Sequence, residues 1–387
     1  MMADAQAGGA MPARRPVPLG ERLRAWRTRL VADPRFRRLA SSLPFVRGVA
    51  RREAAAVFDL CAGFVYSQIL LACVRLRVFD LLADGARTTD DMARAMDLEP
   101  AAAERLLAGA AALGLLARCG DGAYALDMRG AVVRADPGIR AMIEHHALVY
   151  RDLADPVALL RGQGGTQLAA YWSYARADRP SELDDGAVAA YSRLMSASQP
   201  LVADQILDAY AFGTHRCVLD VGGGEGGFLI AAGARHPNLE LVLFDLPAVV
   251  ARAQANFAAA GLGARARVGA GDFRRDVLPQ GADLATLVRV LHDHDDEAAL
   301  AILRAIRSAL VPGGTVLIGE PMADAAGARA VGAAYFGFYL MAMGQGRART
   351  PAEIFDLLTR AGFRDARVRP TAMPLQTGVI TAVTSGL

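Results

Sequence analysis

Cys217-Val-Leu-Asp-Val-Gly-Gly-Gly-Glu-Gly-Gly-Phe228 runs from an apolar stretch through an acid, Asp220, into a cluster of glycines. Such a run reads as a buried parallel strand breaking into a loop where backbone approaches a ligand closely, with a helix opening after it. Asp245 closes the next apolar run, Leu241-Val-Leu-Phe244, where an acid can hold both hydroxyls of a ribose. A nucleoside-bearing cofactor is therefore expected. Spacing leaves its kind open. Gly222, Gly224 and Gly226 fit the Asp-x-Gly-x-Gly-x-Gly pattern of S-adenosylmethionine (SAM) sites, whereas Gly222, Gly224 and Gly227 fit a dinucleotide fingerprint.

Further along, Gly271-Asp272-Phe273 ends a third apolar-to-polar transition. There an acid can accept from an adenine amino group and an aromatic can stack on its ring. A long apolar strand then runs from Asp283 and finishes in His292. Ligands of open α/β sheets bind at the carboxyl ends of the strands, so His292 lies where a methyl group or hydride is transferred. Pro312-Gly-Gly-Thr-Val-Leu-Ile-Gly-Glu320 adds a turn, a strand and another acid. His292-Asp-His294 with Asp295 and Asp296 also has the composition of a metal cluster, although Asp295, Asp296 and Glu297 suit the first turn of a helix.

This series resembles the class I SAM-dependent O-methyltransferases of the plant caffeate/flavonoid type, from about residue 50 to the C-terminus. That family carries an Asp-x-Gly-Gly-Gly loop, a ribose acid, a Gly-Asp pair, a Leu-His-Asp-Trp-x-Asp segment and a strand-end Glu. The resemblance implies SAM as cofactor, with Asp220, Gly222, Gly224, Asp245 and Leu246 among the residues that bind it and Asp245 as the ribose acid. Asp272 and Phe273 fall at its adenine, and Arg289 completes the cofactor set. His292 is the implied general base and Glu320 its partner, with no metal. Two positions depart from the pattern. The tryptophan after His-Asp is His294, and the acid of the Gly-Lys/Arg-Glu-Arg-Thr turn is Ala348, in Gly346-Arg-Ala-Arg-Thr350. Phe58-Asp-Leu-Cys-Ala-Gly-Phe-Val-Tyr-Ser-Gln68 and Met142-Ile-Glu-His-His-Ala147 resemble the bacterial carotenoid branch. That branch methylates hydroxylated carotenoids of the demethylspheroidene and hydroxyneurosporene type, so a lipophilic acceptor is implied. A bacteriochlorophyll precursor or another polycyclic acceptor is the alternative within enzymes. A winged-helix regulator and a dehydrogenase are the alternatives outside the family.

The elements that must position these residues follow from patterning. The fold class is α/β, a Rossmann-like methyltransferase domain behind a mostly helical winged-helix domain. The expected divisions are a basic arm over 1–50, a dimerisation domain over 51–185 and a SAM-binding domain over 186–387. Residues 53–83 read as one apolar helix, too hydrophobic to stand alone, which predicts a homodimer. Thr88-Thr-Asp-Asp91 opens a short helix, and Glu99-Pro100 opens another with Leu106, Leu107, Ala110, Leu113 and Leu116 on one side. A hairpin turns at Asp121-Gly122. Helix, helix, hairpin suits a DNA-binding module, but the second helix has no basic face, so packing against protein is favoured and no nucleic acid is expected. Helices then run through 136–185, broken at Gly162-Gln-Gly-Gly165, and a connecting helix spans roughly 184–210. The last two strands, near Ala366–Arg369 and Gly378–Thr384, have no helix between them. Such a terminal antiparallel hairpin suits a methyltransferase better than a dinucleotide fold. His145-His146 reads as packing or as a place near the substrate mouth. Met195, Met341 and Met343 with Tyr335, Phe336, Phe338 and Tyr339 read as core or as the wall of a lipophilic pocket.

Composition narrows the class. All 43 basic residues of the 387 are arginine, which excludes a lysine Schiff base and a Walker lysine. Cys61, Cys73, Cys119 and Cys217 are scattered without zinc spacing and read as thiols in a reducing compartment. No uncharged apolar run reaches 18 residues and no signal-peptide core opens the chain, so a cytoplasmic protein is expected. Residues 1–52 carry twelve arginines against Asp4, Glu21 and Asp33, a net +9 in a chain of net +3. There arginine interleaves with Leu23, Trp26, Leu30, Phe36 and Leu39. This pattern suits an anionic membrane surface, such as the inner face of the cell membrane, or a solvated basic tail.

Overall fold

The computed structural model describes residues 18–42, 44–171, 198–325, 327, 330–375 and 377–385. The chain divides into two compact units at Leu70 and Leu71. The described part of the first is helical: Leu19–Ala32, Pro34–Ser42 and most of Pro44–Arg75. Leu19–Ala32 buries none of its residues, and Leu23, Trp26 and Leu39 of the arginine-rich segment are exposed. In the long helix Val57, Phe58, Leu60 and Phe64 are exposed as well. By length and composition, Arg47–Arg75 is apolar enough to cross a membrane; the expectation of no such run rested on counting uncharged residues, and Asp59 interrupts it. The helix expected over 53–83 begins earlier and stops at Arg75. Arg77 takes a left-handed conformation at φ 56°, and a separate turn, Val78–Leu81, follows.

Unit two opens with the winged-helix pattern. Thr88 caps the helix Thr89–Met96, accepting from the Asp91 amide at 3.2 Å. The second helix, Pro100–Ala112, buries Ala103, Leu107 and Ala110; Leu113 is already its cap and Leu116 already a strand. Strands β1 (Arg87–Thr88), β2 (Leu116–Arg118) and β3 (Ala123–Leu126) form a small sheet in the order β1-β3-β2. The β2–β3 turn places both Asp121 and Gly122 at positive φ, the backbone that Asp-Gly tolerates. Glu104 on the second helix accepts from Thr89, Tyr124 and Arg118. Its charge is spent on holding the helix to the hairpin. Helices Pro137–Asp152, Pro156–Leu160 and Gln167–Tyr171 follow, with Gly162 and Gly164 at positive φ in the break between the last two. The connecting helix is seen over 198–209; its expected beginning, Met195 and Trp172-Ser-Tyr174 lie outside the described residues.

The large sheet contains β4 (Cys217–Val221), β5 (Glu240–Asp245), β6 (Ala266–Ala270), β7 (Ala282–Val288), β8 (Leu310–Glu320), β9 (Phe363–Arg369) and β10 (Gly378–Thr384). Its order is β6-β5-β4-β7-β8-β10-β9. Neighbours from β6 to β8 run parallel, and β10 is antiparallel to both β8 and β9. The terminal hairpin expected from the sequence is thus present, with its second strand inserted inside the sheet. Strands β4, β5 and β7 are apolar along their middles, with acids such as Asp220 and Asp245 toward their carboxyl ends, because both faces are covered. Val218, Leu241 and Leu243 enter one core, while Leu219, Val242 and Phe244 enter the other. The chain leaves β4 toward β5 and β6 on one side and returns to β7 on the other. The crevice at this reversal is where ligands of such sheets bind.

Candidate active site

The glycine loop leaves β4 at that reversal. Gly222, Gly224 and Gly226 have φ of 72°, 60° and 83°, in the left-handed region that favours glycine. Gly227 is already the first residue of the helix Gly227–Arg235. Backbone demand therefore follows the 222, 224, 226 spacing of the SAM pattern, not the dinucleotide spacing. A Cβ on Gly223 would meet Asp220 Oδ2 at 2.5 Å, so the loop folds down onto that carboxyl. Asp220 is 1% exposed; Thr286 donates to its Oδ1 at 2.6 Å, and Oδ2 makes no hydrogen bond. Burial pushes the Asp220 carboxyl up to about 7.

Asp245 ends β5 and accepts from the Gly224 and Leu246 amides, both at 2.7 Å. The acid thereby ties the glycine loop to the start of the helix Pro247–Ala259, with Leu246 as its cap. Burial raises its carboxyl above the usual range, against the pull of those amides. Asp272 lies just beyond β6. Arg274 donates to it from its amide, Nε and guanidinium at 2.9–3.2 Å. Burial acts to raise the Asp272 carboxyl, and these bonds outweigh it, leaving it lowered. Phe273 stands edge-on to His294, ring centres 5.5 Å apart, and its ring approaches Gly222. The residue in the tryptophan's place thus packs against the aromatic of the Gly-Asp pair.

His292 does not end a strand as expected. Strand β7 stops at Val288, Arg289 turns the chain at φ 57°, and His292 sits in the 3-10 turn Leu291–Asp293. That turn is clamped from behind. Glu320, at the end of β8, accepts from the His292 amide at 3.0 Å and stands 3.5 Å from Nδ1. Arg349, 0% exposed, donates to the Leu291 and His294 carbonyls at 2.8 and 2.7 Å. The Arg347 amide donates to the His292 carbonyl at 2.9 Å. Gly346 passes so close that a Cβ would lie 2.2 Å from that carbonyl. On its other side, His292 Nε2 lies 3.0 Å from Asp293 Oδ1, at an angle that makes no hydrogen bond. Burial disfavours the imidazolium, but the Asp293 and Glu320 carboxylates outweigh it and raise the His292 pKa. Burial raises Glu320 as well. Ala348, where the family's second acid stands, packs instead against the Tyr339–Met343 cluster.

Arg289 donates to Ser198 at 2.7 Å and to Gln199, turning toward the helix at 198–209. Among the described residues no three His, Cys, Asp or Glu side chains group as a metal site. Asp295 caps the helix Asp296–Ala309, and Asp296 pairs with Arg347 and Arg349.

A cavity of about 330 Å³ opens beside His292, Asp293 and Arg289. Its wall is largely apolar: Ile139, Met142, Ile143, Val202, Phe336 and Met343 among others. Tyr335, Tyr339 and His146 also line it. The pocket reading thus holds for Tyr335, Phe336, Tyr339 and Met343, whereas Phe338 packs in the neighbouring cluster and Met341 is exposed. His145 is buried on the Tyr339 hydroxyl at 2.8 Å, and burial pushes it down to about 4. Sequence reasoning missed Asp293 and Arg349 as site residues. Both stood in quoted segments, beside His292 and in the Gly346–Thr350 turn, but only the fold brings that turn behind the histidine.

Residues 150–364 match the O-methyltransferase domain family, and residues 58–131 match the O-methyltransferase dimerisation domain. Demethylspheroidene O-methyltransferase of Cereibacter sphaeroides is 44% identical over 92% of this chain and 93% of its own. Acetylserotonin O-methyltransferase of Mus musculus is 33% identical over 82% of this chain and 86% of its own. The crystal structure of human N-acetylserotonin methyltransferase in complex with SAM has a TM-score of 0.72 at 25% identity, covering 86% of this chain and 98% of that one. A structure of CalO1, a methyltransferase of calicheamicin biosynthesis, has a TM-score of 0.71 at 29% identity, covering 86% and 98%. The glycine loop, the clamped histidine and these matches over nearly the whole length lead to one conclusion: the chain belongs to the O-methyltransferase family that joins this catalytic domain to a dimerisation domain.

Proposed function

We propose that this chain methylates a hydroxyl of a lipophilic acceptor, a hydroxylated carotenoid of the demethylspheroidene type, with SAM as cofactor. The carrying observation is the 44% identity to a demethylspheroidene O-methyltransferase over 92% of the chain. The apolar wall beside His292 supports it, since a hydrocarbon chain needs such a wall.

The loop fits the cofactor: left-handed glycines leave room for close approach, and Asp220 keeps a buried oxygen without a partner beneath them. Asp245 would hold the ribose hydroxyls, with the Gly224 and Leu246 amides fixing its carboxylate. Gly222 and Asp220 would take the methionine part. Phe273 and Asp272 would take the adenine, and Arg289, bonded to Ser198 and Gln199, would support the cofactor site from the helix at 198–209. Bound SAM supplies an electrophilic methyl group whose transfer to oxygen leaves a neutral thioether.

His292 takes the proton of the acceptor hydroxyl as the new C–O bond forms. A tertiary alcohol is far less acidic than a phenol, so proton removal accompanies bond formation and much of the rate comes from positioning. Glu320 orients His292 and stabilises its cationic form. Asp293 adds a second negative neighbour, which favours that cation once formed.

The protein acts as a homodimer through the apolar helix and the rest of the dimerisation region. Its functional divisions are the basic arm over 1–50, the dimerisation domain over 51–185 and the SAM domain over 186–387. The arm rests on the anionic inner membrane surface, where its exposed Leu23 and Trp26 enter the headgroups beside arginines. The deciding experiment incubates the protein with methyl-labelled SAM, hydroxylated carotenoids and bacteriochlorophyll precursors. Label is expected in the carotenoid ether; label only in the tetrapyrrole would overturn the proposal.

A further inference from the structure

The residues that line the cavity beside His292 grade from buried to exposed. His292, Asp293, Ile143 and Met343 are buried. Leu375 lines the same cavity and is 43% exposed. Met373, two residues earlier in the loop between β9 and β10, is 42% exposed. Hydrogen bonds hold that loop in place. The Met373 amide donates to Gln205 Oε1 at 2.8 Å, on the helix at 198–209. The Thr371 hydroxyl donates to the Thr377 carbonyl at 2.9 Å. A single exposed leucine is ordinary on a protein surface. Leu375 differs because its apolar side chain continues the apolar cavity wall out to solvent.

Size limits what this space can enclose. Its volume of about 330 Å³ is at the small end of ligand pockets, roughly 300–1,000 Å³. At roughly 30 Å³ for each water-sized group, it takes about ten methylene-sized units. Two isoprene units fill it, and a whole carotenoid is several times longer. Direction follows from the burial of the reacting groups. The histidine that takes the proton is at the buried end, with Phe336 beside it at 6.2 Å between ring centres. A hydroxyl brought to His292 therefore enters first, and its hydrocarbon trails back toward Leu375.

We propose that the cavity encloses only the hydroxyl-bearing end of the acceptor, about two isoprene units, and that the remaining hydrocarbon leaves the protein across Leu375. The substrate class is then branched-chain alcohols recognised by their terminus, and the length of chain beyond it does not enter the chemistry. Hydrocarbon lying on Leu375 is covered equally before and during methyl transfer. Such uniform binding lowers KM without raising kcat. The inference rests on the acceptor reading above and narrows it to the end that is recognised.

The test gives the full-length protein saturating SAM and two acceptors: a hydroxylated carotenoid in detergent micelles and a soluble tertiary alcohol of two isoprene units. The short alcohol should be methylated with kcat within about threefold of the carotenoid's, since truncation costs kcat only where remote contacts serve the transition state. Leu375→Asp should raise KM for the carotenoid about tenfold or more, the worth of one apolar contact, and that for the short alcohol by less. Met142→Trp, which fills the cavity, should reduce kcat/KM for both acceptors. Turnover of the carotenoid without the short alcohol, or with a kcat for the alcohol lower by more than tenfold, overturns this inference and leaves the carotenoid reading standing. Equal rises in KM for the two acceptors in Leu375→Asp overturn the exit across Leu375. A Met142→Trp variant that stops only the carotenoid places hydrocarbon, and not the hydroxyl end, in the cavity and overturns the inference. Turnover of neither acceptor overturns this inference and the carotenoid reading together.

Discussion

At the scale of single residues, the site turns on a histidine between two carboxylates. His292 has Asp293 at 3.0 Å on one ring nitrogen and Glu320 at 3.5 Å on the other. Its folded pKa lies above the ordinary 6.5, and a base must be unprotonated to act. The rate kcat/KM should therefore climb with pH through a midpoint above 6.5. Asp293→Asn, which removes one of the charges, should move that midpoint down; a fixed midpoint in initial-rate profiles would remove Asp293 from the base's environment. The same raised pKa means the pairing stabilises the fold below 6.5 and loses that contribution as pH rises through the folded value. His292→Ala should lower turnover by roughly 10²–10⁴, the usual worth of a positioned base, with SAM affinity by calorimetry nearly unchanged. Full activity in that variant would leave the proposed mechanism without its base.

At the scale of elements, one tight crossing decides where that histidine stands. The turn at 346–350 lies against the 3-10 turn of His292, with Arg349 bonding two of its carbonyls. Gly346 has φ 81° and no room for a Cβ. Gly346→Ala should cost about 1–2 kcal/mol in backbone strain alone, and the clash then pushes the histidine turn aside. Thermal unfolding should report the first effect. Steady-state kinetics should report the second as a fall in kcat of up to about 10²-fold, the cost of an ångström's misplacement. A variant with lowered stability but wild-type kcat would mean that the turn only braces the fold. The glycine loop obeys a similar logic on the other side of the crevice, since Gly226 turns at φ 83° against the Phe257 ring.

At the scale of the whole molecule, exposed apolar side chains and a net positive charge occur together in the first seventy residues. Val57, Phe58, Leu60 and Phe64 are exposed on one helix, and Phe58 opens the dimerisation match at 58–131. Burial of such side chains is worth about 1.5–3 kcal/mol each, which is ample for a stable dimer. Sedimentation at micromolar concentration should give a dimer; a monomer would contradict this. Residues 1–52 carry a net +9 in a chain of net +3, so a truncation lacking residues 1–50 should bind anionic vesicles less while keeping its SAM affinity. Salt should weaken the binding of the intact chain, as screening requires. Equal vesicle binding by the two proteins would favour a solvated tail.

The sequence alone determined the strands of the large sheet, the glycine loop and the acids at strand ends. Each is a local pattern: an apolar run long enough for a buried strand, then Asp220, Asp245 or Glu320 where the run stops. It also carried the terminal hairpin, because no helical period separates Phe363–Arg369 from Gly378–Thr384. Local patterns left SAM and dinucleotide spacings level; left-handed backbone at Gly226 separates them, and φ is a property of the folded loop. The position of His292 could not be read either, since Arg289 breaks β7 with no glycine or proline to announce it. The partners of the catalytic turn lie far along the chain: Arg349 reaches the Leu291 carbonyl across 58 residues, and Tyr335 reaches His146 across 189. Such pairings come from the stacking of helices over the sheet, and a one-dimensional pattern carries no record of which faces meet. The same holds for the aromatic stretch at 335–343, whose composition suits a core as well as a cavity wall; only the neighbours supplied by Pro137–Asp152 and the helix at 198–209 made it a pocket.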